Sequence, residues 1–224
     1  MRLVTPMTQN RRMSTSPPKW ALDRFEEHLQ RLPLRERKKL RTRRAIQDHA
    51  LRLFAEQGYA ATTVEQICAA AEISPSTFFR YFPTKEDVVI DDEYDPILME
   101  AFRRQPADLG PVEALRAAMK EIFPVVYERE REGVLVRTRL MMTEPALRAR
   151  MFDAMRSGTQ KALATVIAER TGRDLGDQRV QTFAWAVLGV LMSAMYAWLD
   201  SDATLDLPAL VDENLEFLAS GLEL

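Results

Sequence analysis

The chain has 224 residues, of which 46% are hydrophobic and 29% are charged, and its formal net charge at pH 7 is −2. This length can hold a small N-terminal module and a larger domain, each with its own core. The single cysteine, Cys68, excludes an internal disulfide and suits a reducing cytoplasm. Helix-forming residues dominate and the alternation typical of β-strands is absent, so the sequence predicts an all-α protein.

The first 19 residues or so carry Arg2, Arg11, Arg12 and Lys19 among polar residues and prolines, without the apolar stretch of a signal peptide. A disordered tail is the simplest interpretation, and an arm that enters the minor groove of DNA is the alternative. The next segment predicts a short amphipathic helix before Pro33. The apolar residues of this helix are Leu22, Phe25, Leu29 and Leu32. The sequence does not specify where the helix docks, and the module that follows it is one candidate.

A dense run of positive charge follows, comprising Arg35, Arg37, Lys38, Lys39, Arg41, Arg43 and Arg44. The run belongs to an asymmetric charge distribution: residues 1–90 contain 16 Lys and Arg against 10 Asp and Glu, whereas residues 91–224 contain 15 against 23. On its own such a run is a solvated helix face. Next to a nucleic-acid-binding motif it favours contact with phosphates.

Residues 62–85 predict such a motif, two short helices joined by a tight turn. Thr63 can cap the first helix, with Gln66 three residues later completing a capping box, and Thr62 with Glu65 offers the same pairing one residue earlier. The helix has an apolar face formed by Val64, Ile67, Cys68 and Ala71. It is therefore predicted to be the inner, supporting helix of a helix-turn-helix.

The second helix is predicted to begin at Pro75, behind Ser74 as its N-cap, and to end at Phe82. Phe78 and Phe82 lie on one side and dock the helix on the core. The opposite side carries the residues expected to contact DNA, which are Ser76, Thr77, Arg80 and Tyr81. Because Arg can donate two hydrogen bonds to guanine, whereas hydroxyls mostly contact phosphates, Arg80 is the predicted sequence-reading residue.

The rest of the chain predicts more helices, spanning residues 86–104, 111–132, 134–142, 144–170 and 208–218. The first of them would link the two parts of the chain and would be kinked or broken at Pro96. A second kink is expected at Pro124, and Thr143 is expected to cap the long helix that follows it.

The segment from Thr182 to Leu199 has no formal charge and is long enough to be a membrane-span candidate. Its hydrophobicity depends on alanines, it is interrupted by Gly189 and Ser193, and no second span accompanies it. A buried central helix, with one side on a pocket and the other on a twin subunit, is the favoured interpretation.

With these features the chain resembles the TetR family of transcriptional regulators. The resemblance covers about residues 35–90 and is carried by Thr42, the helix from Arg43 through Ala50, Leu53, Phe54, Gly58, Tyr59, Thr62, Thr63, Val64, Ile67, Ala71, Ser74, Thr77, Phe79, Tyr81, Phe82 and Lys85. Two positions depart from the family pattern. Phe79 is commonly Tyr, so a phosphate hydrogen bond is missing, and Glu72 is commonly Gly, so a left-handed backbone there would cost about 1–2 kcal/mol.

The resemblance implies a three-helix, helix-turn-helix DNA-binding head at residues 34–85, after a partly disordered extension at 1–33, and a ligand-binding and dimerisation domain at 86–224. The motif and the resemblance together give the expected DNA-binding residues, which are Arg43, Arg44, Thr63, Ser74, Pro75, Ser76, Thr77, Phe79, Arg80, Tyr81 and Lys85. The last two helices would pair with their copies in a homodimer and present two recognition helices to a palindromic operator. An ordinary three-helix unit with Arg80 and Lys85 on a solvated face is the alternative.

A ligand pocket is expected because the resemblance implies one, and its expected lining is Phe123, Tyr127, Arg137, Met141, Met155, Trp185, Met192 and Tyr196. Flexible methionines suit a pocket for apolar molecules. Within the family, the opening RERKKLRTRRAI and the ending FFRYFPTKEDVV are most similar to the mycofactocin-regulator branch. That similarity suggests an acyl-thioester or other lipid-like ligand, with Arg137 or Arg139 at its anionic end.

Enzyme chemistry finds little support in the sequence. The two histidines, His28 and His49, have no Cys or His nearby at metal-ligand spacing, and neither a glycine-rich phosphate loop nor a nucleophile elbow is present. No catalytic residue, metal site or cofactor is therefore expected. The sequence predicts a cytoplasmic, homodimeric, ligand-responsive transcriptional regulator, by family expectation a repressor; the rival classes are a membrane-associated helical protein and a small helical enzyme.

Overall fold

The computed structural model describes residues 19–91 and 94–223, and within these ranges it contains eleven α-helices and no β-strand. The prediction of an all-α protein is confirmed. The helices are α1 (Lys19–Arg31), α2 (Leu34–Gln57), α3 (Val64–Ala70), α4 (Pro75–Tyr81), α5 (Asp87–Ile90), α6 (Asp95–Arg103), α7 (Pro111–Thr143), α8 (Pro145–Ser157), α9 (Thr159–Thr171), α10 (Gln178–Asp200) and α11 (Leu207–Ala219). The tail predicted before Lys19 lies outside the described residues.

Two hydrophobic clusters organise these helices. The smaller is built from α2 to α5 and includes Leu147 of α8. The larger combines α1, α6, α7, α9, α10 and α11 around residues such as Phe102, Leu115 and Trp198, all of which are buried. The helix-turn-helix segment belongs to the smaller cluster, and the C-terminal part of α7 also packs against that cluster.

Helix α1 docks on the larger cluster, and the helix-turn-helix module proposed as its docking site is not where it packs. Ala21 and Phe25 are buried there against α6 and α7. The Phe25 ring lies 6.3 Å from that of Tyr94, with the Arg129 guanidinium 4.9 Å from its centroid. The buried His28 ring adds a 2.8 Å contact from Nε2 to the Glu121 carboxylate of α7. Its apolar face thus finds complementary apolar surface on α6 and α7.

The linking helix predicted over residues 86–104 is two helices in the structure. Helix α5 ends at Ile90 and α6 begins at Asp95, so the break lies before Pro96, which occupies the first turn of α6. Proline is tolerated at that position because its missing N–H has no partner within the helix. The predicted interruption is present, but it precedes Pro96, which lies within the first turn of the second helix.

Helix α7 consists of two helical segments joined across a kink, close to the division predicted at Gly133, but the kink predicted at Pro124 is wrong. Its one residue with non-helical dihedrals is Glu130, at φ −133° and ψ 24°. Proline fixes φ close to the helical value and removes a single N–H, so the backbone at Pro124 can stay helical. The Glu130 carboxylate is bonded to Arg44 of α2 and to the Tyr94 hydroxyl, and the distortion coincides with these tertiary contacts.

The long helix predicted over residues 144–170 is also two helices, α8 and α9, separated at Gly158, where φ is −101° and ψ is −99°. The hydroxyl of Thr143 does not cap α8, because it donates to the carbonyl of Arg139 in its own helix. Glu144 occupies the N-cap position without a side-chain bond, and Pro145 begins the helix. Glycine has the backbone freedom that such a corner requires.

Helix α10 is the one helix among the described residues that is long and apolar enough to cross a membrane, judged by length and composition alone. Only 28% of that stretch is buried within the chain. Its buried side packs on α9 and α11 through residues such as Val187 and Trp198. The opposite side of a very apolar helix is therefore left exposed in a single chain.

Candidate DNA-binding surface and ligand cavity

The supporting helix α3 begins as its sequence predicts. The Thr63 hydroxyl accepts from the Gln66 backbone N–H at 3.3 Å, and the Gln66 side chain accepts from the Thr63 N–H at 2.8 Å. The alternative start at Thr62 is wrong, because that residue is buried and its hydroxyl donates to the Gly58 carbonyl at 2.8 Å. The reciprocal bonds at Thr63 satisfy two of the free groups at the start of this short helix.

Helix α4 follows the predicted pattern too. The Ser74 hydroxyl accepts from the Thr77 N–H at 3.1 Å, and Pro75 occupies the first helical position. Phe78 and Phe82 are buried, with ring centroids 5.9 Å apart, and they anchor the helix on the smaller cluster. Helix α4 ends at Tyr81, and Phe82 is its C-cap. Two aromatic anchors thus fix which face of α4 points outward.

That outward face carries most of the predicted DNA-binding residues. Ser74, Pro75, Ser76, Phe79 and Arg80 are exposed, Thr77 and Tyr81 are half-buried, and Thr63 is exposed beside them at the start of α3. The Arg80 guanidinium lies 5.3 Å from the Tyr81 ring centroid. Half of the Phe79 surface is exposed. An aromatic side chain and a guanidinium therefore project from one turn of a firmly anchored helix.

The turn between α3 and α4 contains a left-handed residue at the position where the family pattern has glycine. Glu72 adopts φ +53°, and the N–H of the following residue, Ile73, bonds to the Cys68 carbonyl at 3.0 Å. Cys68 itself is buried. A left-handed backbone usually requires glycine, and in this turn a glutamate adopts it.

Lys85 is turned toward the loop before α3. Its ammonium donates to the carbonyls of Tyr59 and Thr62, at 3.0 Å each, and lies 4.2 Å from the Tyr59 ring centroid. The Tyr59 hydroxyl donates to Glu86 at 3.0 Å, and burial together with this carboxylate raises the pKa of Tyr59. In this arrangement Lys85 holds the loop that leads into the motif.

Arg43 and Arg44 are held by internal contacts, which the sequence could not show. Arg43 donates to the Tyr81 carbonyl at 3.0 Å and to the Asp91 carboxylate at 2.5 Å. Arg44 pairs with Glu130 of α7. Their guanidinium groups join α2 to the rest of the chain.

A cavity of about 480 Å³ lies between α2, the α5–α6 corner and helices α7 to α10. Of the eight predicted pocket residues, five line it, and these are Phe123, Arg137, Met141, Met155 and Met192. Further methionines and leucines of α7, α8 and α10 make most of its wall apolar. The Arg137 guanidinium donates to the Val89 carbonyl at 3.1 Å, so it also fixes α5 to α7.

The other three predicted pocket residues lie elsewhere. Tyr127 is buried, with its ring against that of Trp198 at 5.9 Å. Trp185 stacks on Phe152 at 5.1 Å and an interplanar angle of 11°, and Tyr196 is 49% exposed. The helical spacing of these residues is compatible with a pocket-facing position. In the structure they pack against other helices or face solvent instead.

Several cavity residues come from segments that sequence reasoning assigned to other roles. Leu32, Glu36, Lys39 and Leu40, from the end of the first helical segment and the basic run, line the cavity. Glu130 lines it too, and burial raises the pKa of Glu130, which accepts a bond from the Tyr94 hydroxyl. One sequence feature could have indicated that the basic run reaches the cavity: Leu40, an apolar residue within that run.

Family models match both parts of the chain. Residues 46–91 match the model described as "Bacterial regulatory proteins, tetR family", and residues 109–223 match the "MftR C-terminal domain". Helix α1 precedes both matched regions.

Curated relatives extend this similarity. The HTH-type transcriptional regulator TcmR of Streptomyces glaucescens is 37% identical over 161 residues, covering 69% of this chain and 71% of that protein. The putative mycofactocin biosynthesis transcriptional regulator MftR of Mycobacterium tuberculosis is 30% identical over 189 residues, covering 84% and 94%.

A solved structure has a similar fold. Thermus thermophilus FadR, a TetR-family transcriptional repressor in complex with lauroyl-CoA, matches with a TM-score of 0.54 and 25% identity. The match covers 81% of this chain and 95% of that one.

Proposed function

The chain belongs to the TetR family of transcriptional regulators, and we propose that it is a cytoplasmic repressor that binds a palindromic operator as a homodimer and is released by an amphipathic small molecule. The observation that carries the proposal is the outward face of α4. Arg80 is exposed on a helix that Phe78 and Phe82 anchor from behind. An anchored helix with an exposed guanidinium suits readout of guanine in the major groove.

The division into a head at residues 34–85 and a sensor domain at residues 86–224 is part of this proposal. The two hydrophobic clusters support it, although Val88, Val89 and Leu147 contribute to the smaller one. In our proposal α1 goes with the sensor domain, because Phe25 is buried in the larger cluster.

Dimerisation is proposed through α10 and α11. Gly189, Ser193 and Ala197, spaced four residues apart, are exposed on α10 beside Tyr196, and Phe217 is exposed on α11. Small residues at this spacing let a second helix approach closely, and a two-fold axis would pair each helix with its copy. The same contact would cover the apolar surface that makes α10 resemble a membrane span, so a detergent-free soluble dimer is the expected state.

The cavity is the proposed ligand site. A volume of about 480 Å³ falls within the usual range for small-molecule sites, and its wall combines methionines with a charged rim from α2. The lauroyl-CoA complex of the FadR neighbour supports an acyl-thioester-like ligand here. Its acyl chain would occupy the apolar part, and its anionic part would remain near the rim.

Binding of the chain's own upstream promoter DNA tests this proposal. Arg80→Ala should weaken binding by about 10- to 100-fold, and salt should weaken the binding of the wild type. Arg179→Ala, which removes an exposed arginine at the start of α10, is the matched control and should bind as the wild type does. Lauroyl-CoA, with free CoA as its control, should release the DNA. Absence of any retardation at low salt would overturn the proposal.

A further inference from the structure

Helix α2 belongs to both functional parts of the molecule. Its N-terminal half contributes Glu36, Lys39 and Arg43 to the cavity wall. Its C-terminal half contributes Ile46 and Phe54 to the core under the helix-turn-helix. One continuous helix therefore runs from the cavity to the supporting core of the recognition helix.

Arg43 lies where these two halves meet, and its guanidinium makes three contacts. It donates to the Tyr81 carbonyl at 3.0 Å and to the Asp91 carboxylate at 2.5 Å, and it lies 4.5 Å from the Phe82 ring centroid. Tyr81 is the last residue of α4, and Phe82 is its C-cap. Only 18% of the Arg43 side chain is exposed. Arg43 thus holds the end of the recognition helix and also forms part of the cavity wall.

Asp91, its partner, is itself fixed to both sides. The Asp91 N–H bonds to the Asp87 carbonyl at 2.9 Å, and its own carbonyl accepts from the Gln47 amide of α2 at 3.1 Å. The buried Gln47 amide also donates to the Val88 carbonyl at 2.6 Å. Asp91 lines the cavity as well, so both members of the ion pair form part of its wall.

We propose that Arg43 is a positioning residue that sets the orientation of α4 according to the state of the cavity, a role that rests on the proposed function and specifies its regulation. Asp91 holds the guanidinium in place, and the guanidinium holds the Tyr81 carbonyl. A ligand that shifts Asp91 or competes for Arg43 releases the C-terminal end of α4 and weakens DNA binding.

The rival role for Arg43 is direct phosphate contact, and the two roles predict opposite signs for one substitution. Asp91→Ala removes a negative charge and frees the guanidinium. If Arg43 contacts phosphate, promoter DNA should bind more tightly; if Arg43 is a positioning residue, binding should weaken by about tenfold, as for the loss of one charged hydrogen bond. Asp153→Ala is the matched control, because this exposed carboxylate of α8 makes no side-chain hydrogen bond or ion pair within the described residues.

Variants of Arg43 itself give a second readout. Arg43→Gln should weaken DNA binding while leaving the slope of affinity against salt at the wild-type value, whereas loss of a phosphate contact would reduce that slope by about one. Arg43→Lys keeps the charge but cannot make the forked pair of bonds, so it should rescue little. Unchanged melting temperatures would exclude general unfolding as the cause. A reduced salt slope with rescue by lysine would overturn the proposal.

The link to the cavity is tested with the fluorescent dye 8-anilinonaphthalene-1-sulfonate. Dye bound to the wild type should weaken promoter binding, and DNA should weaken dye binding by the same factor; in Arg43→Gln this coupling should disappear while the dye still binds. Coupling that persists in the variant would overturn the relay but leave the ligand site intact. A wild type that binds DNA but no dye would overturn the ligand site of the proposed function together with the relay.

Discussion

The turn that joins the two helices of the DNA-binding motif is strained, and glycine should relieve it. Glu72 lies there at φ +53°, a conformation that costs a residue with a Cβ atom about 1–2 kcal/mol. Glu72→Gly removes that cost, but the added freedom of glycine stabilises the unfolded chain by about 0.4–1 kcal/mol. From the middle of each range, the variant should be more stable by about 0.8 kcal/mol.

For a chain of this length the gain corresponds to a melting temperature higher by about 1–4 °C, which far-UV circular dichroism at a fixed protein concentration can measure. Ala69→Gly, at an exposed position inside α3, is the matched control and should destabilise by about 1 kcal/mol, because its backbone is helical. If Glu72→Gly is as unstable as this control, the turn is not strained and the reasoning fails.

Three more substitutions test the packing of α1, the DNA contact of the recognition helix α4 and the ion pairs between α7 and α11. Phe25→Ala, in a buried position, should lower the free energy of unfolding by about 3–5 kcal/mol in a denaturant titration. The control Trp20→Ala, on the exposed side of α1, should change this free energy by less than about 0.5 kcal/mol. Similar losses in the two variants would contradict the docking of α1. Phe79→Tyr adds a hydroxyl to an exposed ring and should tighten promoter binding by about two- to tenfold in fluorescence anisotropy, and an unchanged affinity would show that the ring does not reach a phosphate. Burial alone would raise the pKa of Asp212, but hydrogen bonds from Arg116 and a lysine of α7 outweigh it and lower the pKa. The ionised Asp212 carboxylate therefore stabilises the fold above the pKa that it has in the unfolded chain, and this stabilisation is lost as the pH falls through its lower pKa in the folded chain. The free energy of unfolding of the wild type should decline more steeply in acid than that of Asp212→Asn. Equal dependence of this free energy on pH in the two proteins would refute the prediction.

The helix-turn-helix could be predicted closely because its determinants are local. Thr63 with Gln66, and Ser74 with Thr77, form caps within three residues of each other. The strained turn at Glu72 followed from the family pattern. Short-range hydrogen bonds and helical spacing depend little on the rest of the fold, so a sequence can specify them.

The sensor half was harder to predict because its helix ends and its pocket depend on contacts between distant segments. Gly133 is accommodated inside α7, while Gly158 ends α8, and no local pattern distinguishes these two glycines. Trp185 has the spacing of a pocket residue, but it stacks on Phe152 of another helix. Methionines such as Met155 and Met192 line the cavity, because the helices that carry them turn an apolar face inward.

The basic run shows how a charge pattern can be ambiguous. Arg35, Lys38 and Arg41 are exposed on α2 and remain candidates for phosphate contact, whereas Arg43 meets a carboxylate that lies 48 positions further along the chain. A run of arginines has the same composition whether its partners are phosphates or remote carboxylates, and only the fold brings those carboxylates within reach. Because α2 turns by about 100° per residue, neighbouring cations in one run point to different partners. The same helix can therefore attract DNA with one side and connect the recognition helix to the cavity with another.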